Sequence, residues 1–94
     1  MNKGKRIKLI DGEFSPNDTL DILLNLYSSK IKFHELKNLS SKERLGKEDP
    51  IAVKRIPELK KGMDEIQELL KKTNQKKDKL IIKSFVNIIF KSKE

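Results

Sequence analysis

The sequence predicts a mainly α member of the α+β class: an antiparallel two-helix hairpin with a short terminal β-ribbon, in the order strand-helix-helix-strand. Three observations predict it. Ala52, Ile56, Leu59, Met63, Ile66 and Leu70 recur at alternating steps of four and three, which is the seam of a helix built to lie against another helix. Two helix starts, Ser15-Pro16 and Asp49-Pro50, each precede an apolar stripe. The two ends of the chain carry apolar runs of β type, and a helical hairpin delivers both to the same end, where they can pair antiparallel.

The first strand is expected at Lys5–Ile10, where basic and apolar residues alternate and one further apolar residue is added; Asp11-Gly12 reads as the turn that closes it. Ser15 can then accept from first-turn amides, Pro16 suits the first helical position, and Asp18 favours the positive end of the helix. This helix is expected over 16–40. Leu20, Leu24, Tyr27 and Ile31 form its stripe, Ile22, Leu23 and Leu26 widen it, and Leu36 and Leu39 lie near its end. Ser40-Ser41-Lys42-Glu43 repeats the capping spacing before Gly46, predicting a separate helical turn at 41–45 with a glycine cap.

From Asp49-Pro50 the second helix is expected to run to about Thr73, with Lys71 and Lys72 suiting its C-terminal dipole and Asn74 as a left-handed cap. Pro57 and Gly62 oppose it, and an interior proline costs about 3 kcal/mol. The four-three spacing nevertheless passes through Pro57 in phase, which predicts a kinked helix; the alternative is a short helix 50–55 and a new start at Pro57.

Leu80–Lys91 fits either a strand or a helix, and five Ile or Val residues with two Phe favour the strand. One strand face would hold Leu80, Ile82, Val86, Ile88 and Phe90. The opposite face alternates Ile81, Phe85 and Ile89 with Lys79, Lys83, Asn87 and Lys91. A twelve-residue strand beside a six-residue one would leave edge unpaired, which predicts a cover, most simply a second copy in a symmetric dimer with a continued sheet or a four-helix bundle.

With 94 residues the chain is expected to be a single domain, 1–94, with 1–4 and 92–94 as flexible ends. Hydrophobic residues make up 35% and charged residues 38%, so the core must be thin; Leu, Ile, Val and Phe still number 29 and are periodic, which separates the chain from disordered ones. Cysteine is absent, excluding disulfides, thiolate metal sites and a cysteine nucleophile. Lys8 and Asp11 interrupt the apolar residues near the start before a signal-peptide core forms, and no run approaches a membrane span; the expected location is the cytoplasm.

The net charge of +8 is uneven: residues 1–9 carry +4, residues 71–94 carry +6, and the middle is slightly acidic. If the strands pair, these ends are expected to join into one basic patch. Lys3, Lys5, Arg6, Lys76, Lys77 and Lys79 are the candidate nucleic-acid contacts, suited to weak, sequence-tolerant binding because lysine dominates over arginine. The competing reading is that these lysines keep an edge strand soluble. Ile81, Phe85 and Ile89 are the candidate partner-binding residues; resting on an anionic membrane surface is a weaker use for them. His34 is the sole histidine and has no partners at catalytic or metal-ligand spacing, so a packing role is expected. Asp11 and Glu13 belong more simply to the turn than to a carboxylate pair. No phosphate-cradling glycine loop and no nucleophile-base arrangement occurs. The expectation is a non-enzymatic, self-associating interaction module acting through its helical seam and sheet edge, with no cofactor, metal or small-molecule substrate; nonspecific nucleic-acid binding is the alternative.

Overall fold

The computed structural model describes residues 3–91. Its elements are β1 (Gly4–Phe14), α1 (Pro16–Leu45), α2 (Pro50–Lys71) and β2 (Leu80–Ile89), the predicted order and class.

Ser15 caps α1 as its pattern dictates: extended backbone, its hydroxyl accepting from the Asp18 amide at 3.1 Å, and Pro16 in the first turn. The helix does not stop at 40. Residues 41–45 continue it, because Ser40 and Ser41 keep helical backbone; the Ser41 hydroxyl instead donates to the Lys47 carbonyl at 2.8 Å, across the connection. Gly46 ends the helix in the left-handed conformation, φ 70°, its amide donating to Lys42 O at 3.0 Å. Asp49 caps α2 by accepting from the Ala52 amide at 3.2 Å, while its own amide donates to the Asn38 side chain at 2.8 Å. That bond ties the start of α2 back to α1 and closes the connection after a few residues.

α2 runs unbroken through Pro57, so the reading with a second start there is wrong. Its seam faces inward: Ala52, Leu59 and Leu70 are buried and Ile56, Met63 and Ile66 half-buried. Across from it Ile31 is buried and Leu20, Leu24 and Tyr27 half-buried, as predicted, but the α1 stripe then continues through polar residues, buried His34 and half-buried Asn38 and Ser41. Asn74 is not a left-handed cap, since among the described residues no non-glycine φ is positive. Its side chain has a better use. It accepts from the Lys76 and Lys77 amides, while Asp78 accepts from the Asn74 amide, so Asn74 opens a tight turn instead of closing a helix.

The C-terminal segment is the predicted strand, and the two strands pair antiparallel from Gly4↔Ile89 to Phe14↔Leu80. β1 is nearly twice its predicted length, and Asp11-Gly12 is not a turn. Both residues lie inside the strand, opposite Lys83 and Ile82. What interrupts the alternation is a bulge: the register shifts between Lys8 and Ile10, leaving Leu9 unpaired. The extra apolar residue of the sequence is therefore a bulge and not a strand end. Ile7 and Ile10, an odd number of residues apart, come to share a face, as do Lys8 and Asp11. Gly12 leaves room for the Phe14 ring on the same face; a Cβ there would lie 3.2 Å from Phe14 Cζ.

One expectation falls with this pairing. The strands match in length, eleven residues against ten, so β2 has no unpaired overhang to demand a cover. Of the ends expected to be flexible, residues 1, 2 and 92–94 lie outside the described residues, and Gly4 pairs with Ile89.

The molecule is open and flat. Its extents are 51 × 35 × 14 Å and its radius of gyration is 17.1 Å, against about 12 Å for a compact domain of this length. α1 is about 45 Å long and the ribbon about 33 Å; end to end they would exceed 51 Å, and the ribbon meets the hairpin at only a few residues of α1, so it neither extends the hairpin nor lies along it. Among the described residues the buried apolar ones are few: Ile10, Ile31, Ala52, Leu59, Leu70 and Pro16. No described helix is long and apolar enough to cross a membrane.

Candidate functional site

Pairing register assigns every ribbon residue to a face, because partners across an antiparallel pair project the same way. One face carries Phe14, Leu80, Ile82 and Ile10 near the helices and Ile7, Val86 and Ile88 farther out. The near half is covered where the ribbon meets α1: Ile10 is buried, Phe14, Leu80 and Ile82 are half-buried, and on α1 Pro16 and Thr19 are buried. The far half has nothing beneath it. Ile7 is 45% exposed, Val86 38% and Ile88 47%, and Phe90, whose amide donates to Lys3 O at the tip, is exposed as well.

The opposite face is charged. Glu13, Asp11, Lys83, Lys8 and Arg6 alternate there with Ile81, Phe85 and Ile89. Ile81 and Ile89 are exposed, as the partner-binding expectation requires, but the three do not form an apolar patch. The Arg6 guanidinium lies over the Phe85 ring, 4.0 Å from its centroid, and Ile81 and Ile89 sit about 13 Å from Phe85 on either side along the strand. Lys8 Nζ is 2.9 Å from Asp11 Oδ2. This hydrogen bond, reinforced by the Lys8 charge and more weakly by Lys83, holds the Asp11 carboxyl below the ordinary carboxylate value.

The basic residues do not form the single patch expected of them. Lys3, Lys5 and Arg6 are at the tip of the ribbon, opposite the end of β2, whereas Lys79 precedes the Phe14↔Leu80 pair at its base and Lys76 and Lys77 lie in the turn beyond. Nine residues of strand separate Lys79 from the residue paired with Lys5, about 30 Å. Antiparallel pairing brings the chain ends together at the tip, but most of the C-terminal positive charge lies before β2.

α1 carries a second surface. Ile22 and Leu26, expected to widen the inner stripe, and Leu36, expected near its end, do not lie on it: with Thr19, Ser29 and Phe33 they form a second four-three series on the opposite side of the helix. Thr19 is buried and Ile22 half-buried; Leu26, Phe33 and Leu36 are exposed, with the Lys30 and Lys37 ammonium groups 4.9 and 5.7 Å from the centre of the Phe33 ring. The signal was present in the spacing, but serine at one position and threonine at another hid it.

His34 is packed in the hairpin, its ring edge-on to Phe33 at 5.3 Å, and its Nε2 has no hydrogen-bond partner. Among the described residues no three His, Asp or Glu side chains gather as a metal-binding set. A cleft of about 750 Å³ runs between the helices near the ribbon, with Leu20 and Leu70 in its walls and Asp64, Gln67 and Glu68 at its rim. It brings together no nucleophile and base. Comparison with known proteins finds no matching family model, no matching curated protein and no matching solved structure.

Proposed function

We propose that this chain is a non-enzymatic interaction module whose working surfaces are the outer half of the ribbon's apolar face and the outer stripe of α1. The observation that carries this reading is area. The chain exposes 7937 Å², whereas a compact monomer of 10.9 kDa exposes about 5,600 Å². The excess is about 2,300 Å², and the large apolar residues left exposed include Ile7, Val86 and Ile88 on one ribbon face and Leu26, Phe33 and Leu36 on one side of α1; exposed apolar patches mark protein contacts. The helical seam, by contrast, is used inside the chain between α1 and α2, so a partner meets other residues.

A photo-crosslinking residue in place of Ile88, compared with one in place of Lys61 on α2, tests this in living cells. Protein adducts at 88 and not at 61 are expected. The absence of protein adducts at 88 would overturn the reading.

Nonspecific nucleic-acid binding is the second reading, favoured by the cations of the tip, Lys3, Lys5 and Arg6. The distance of about 30 Å along the ribbon to the basic turn leaves it a short footprint. A gel shift on generic DNA and RNA that collapses between low and physiological salt would support it.

A further inference from the structure

We infer that the partner docks an acidic amphipathic helix, about three turns long, on the outer half of the ribbon's apolar face. The inference rests on the module reading above and names the chemistry of its partner.

Alternation and pairing divide this half-face into two rows. Val86, Ile88 and Phe90 form an apolar row on β2; opposite them on the first-strand side stand Ile7, Lys5 and Lys3. Residues 3–8 and 85–91 contain no aspartate or glutamate. On the other face of the ribbon the cations are engaged, Arg6 over the Phe85 ring and Lys8 with Asp11. Lys3 and Lys5 are exposed and, among the described residues, meet no carboxylate.

An apolar row beside two uncompensated ammonium groups is complementary to apolar side chains flanked by carboxylates. A partner that covered the apolar row without supplying that charge would draw Lys3 and Lys5 partly out of water unpaired, which is unfavourable. A second copy of the chain is such a partner: ribbon on ribbon sets Lys5 against Lys5, and ribbon on the outer stripe of α1 sets it against Lys30 and Lys37, which flank Phe33. The occupant is therefore a different, acidic protein.

Geometry selects a helix. In an extended segment that alternates acidic and apolar residues, the two kinds project to opposite sides, so carboxylates and apolar groups cannot both face the ribbon. A helix presents an apolar stripe and its acidic flank side by side, matching two rows about 5 Å apart. Size agrees: the outer half is about 16 Å long and 10 Å wide, the width of one helix and the length of about three turns. The inner half of the same face is already covered by the start of a helix, where Pro16 and Thr19 of α1 are buried, so the docked helix extends a layer that the fold begins. So small a contact belongs to the transient class.

The test is fluorescence anisotropy, titrating the full chain into a labelled helical peptide that carries a leucine stripe flanked by glutamates. Two control peptides replace its glutamates with lysines or its leucines with alanines. The glutamate-leucine peptide should bind, more weakly at physiological than at low salt, and both controls should bind at least tenfold more weakly. Ile88→Ser should weaken binding at least tenfold, while Lys61→Glu, at an exposed position of α2, should not. Because a variant can lose binding for want of folding, charge reversal supplies a gain: the chain carrying both Lys3→Glu and Lys5→Glu should prefer the lysine-leucine peptide. A chain that binds no peptide, binds both charge forms alike, or keeps its preference after the reversal would overturn the inference. So would generic RNA, or vesicles of anionic phospholipid, binding more tightly than the peptide and in an Ile88-dependent way. If cellular adducts at 88 persist in any of these cases, the module reading survives with a partner of other chemistry; without them both readings fall.

Discussion

The ring of Tyr27 lies against the backbone of α2 at Gly62: a Cβ placed on Gly62 would come within 2.8 Å of Tyr27 Cε2. The glycine that the sequence presents as a defect in a helix thus leaves room on α2 for an aromatic ring of α1. Gly62→Ala should gain about 1 kcal/mol of helix propensity and lose about 1–3 kcal/mol to overpacking, for no net gain or a net loss. In a Tyr27→Leu background the same substitution should become stabilising. Denaturant midpoints of the four proteins in a double-mutant cycle measure the difference; stabilisation by Gly62→Ala in the wild-type background would show that Tyr27 does not press on Gly62.

Leu59 is the buried centre of the α2 seam. Leu59→Ala should cost ~2–5 kcal/mol, as for other buried leucines, a large fraction of what so small a core can supply. A loss below about 0.5 kcal/mol, the scale of surface substitutions, would place Leu59 outside the core.

Asn38 reaches from α1 to the amide of Asp49. Asn38→Ala leaves that part-buried donor without its acceptor and should destabilise by about 1–3 kcal/mol, accompanied by faster amide exchange at Asp49. Unchanged exchange would mean the bond does not hold the connection.

Asp11 is paired with Lys8 only because the bulge at Leu9 turns both to one face. Its carboxyl should titrate below the value of about 3.9 that an unstructured aspartate shows, and Lys8→Gln should move it back up. The sign for stability follows: a depressed folded value gives a contribution present above the unfolded value and lost as pH falls through the folded one. Carboxyl chemical shifts followed by NMR provide the check, and a Lys8→Gln titration identical to wild type would contradict the pairing.

The helices were legible because their determinants are local. Ser15-Pro16 and Asp49-Pro50 satisfy amides three residues away, and the α2 seam repeats within one helix. What was not legible depends on pairing. Asp11-Gly12 is a turn by composition, and only the presence of Lys83 and Ile82 opposite makes it strand. The Leu9 bulge shows in sequence as one surplus apolar residue, but its position is fixed by β2. Asn74 has two conformational uses, and the choice was made by Asp78 and the Lys76 and Lys77 amides. The distribution of charge departs from the sequence expectation for a topological reason, since residues near the chain ends meet at the tip while Lys76, Lys77 and Lys79 lie where β2 begins. Of the candidate surface, Val86 and Ile88 were assigned to a common strand face from alternation alone; that nothing in the chain covers them required the placement of the ribbon on the hairpin.

The central claim is that the outer half of the ribbon's apolar face is a surface for a protein contact. The most direct measurement is photo-crosslinking in living cells from position 88, with position 61 on α2 as the control. The account predicts protein adducts from 88 and none from 61. A chain that yields no adducts from 88 would contradict it.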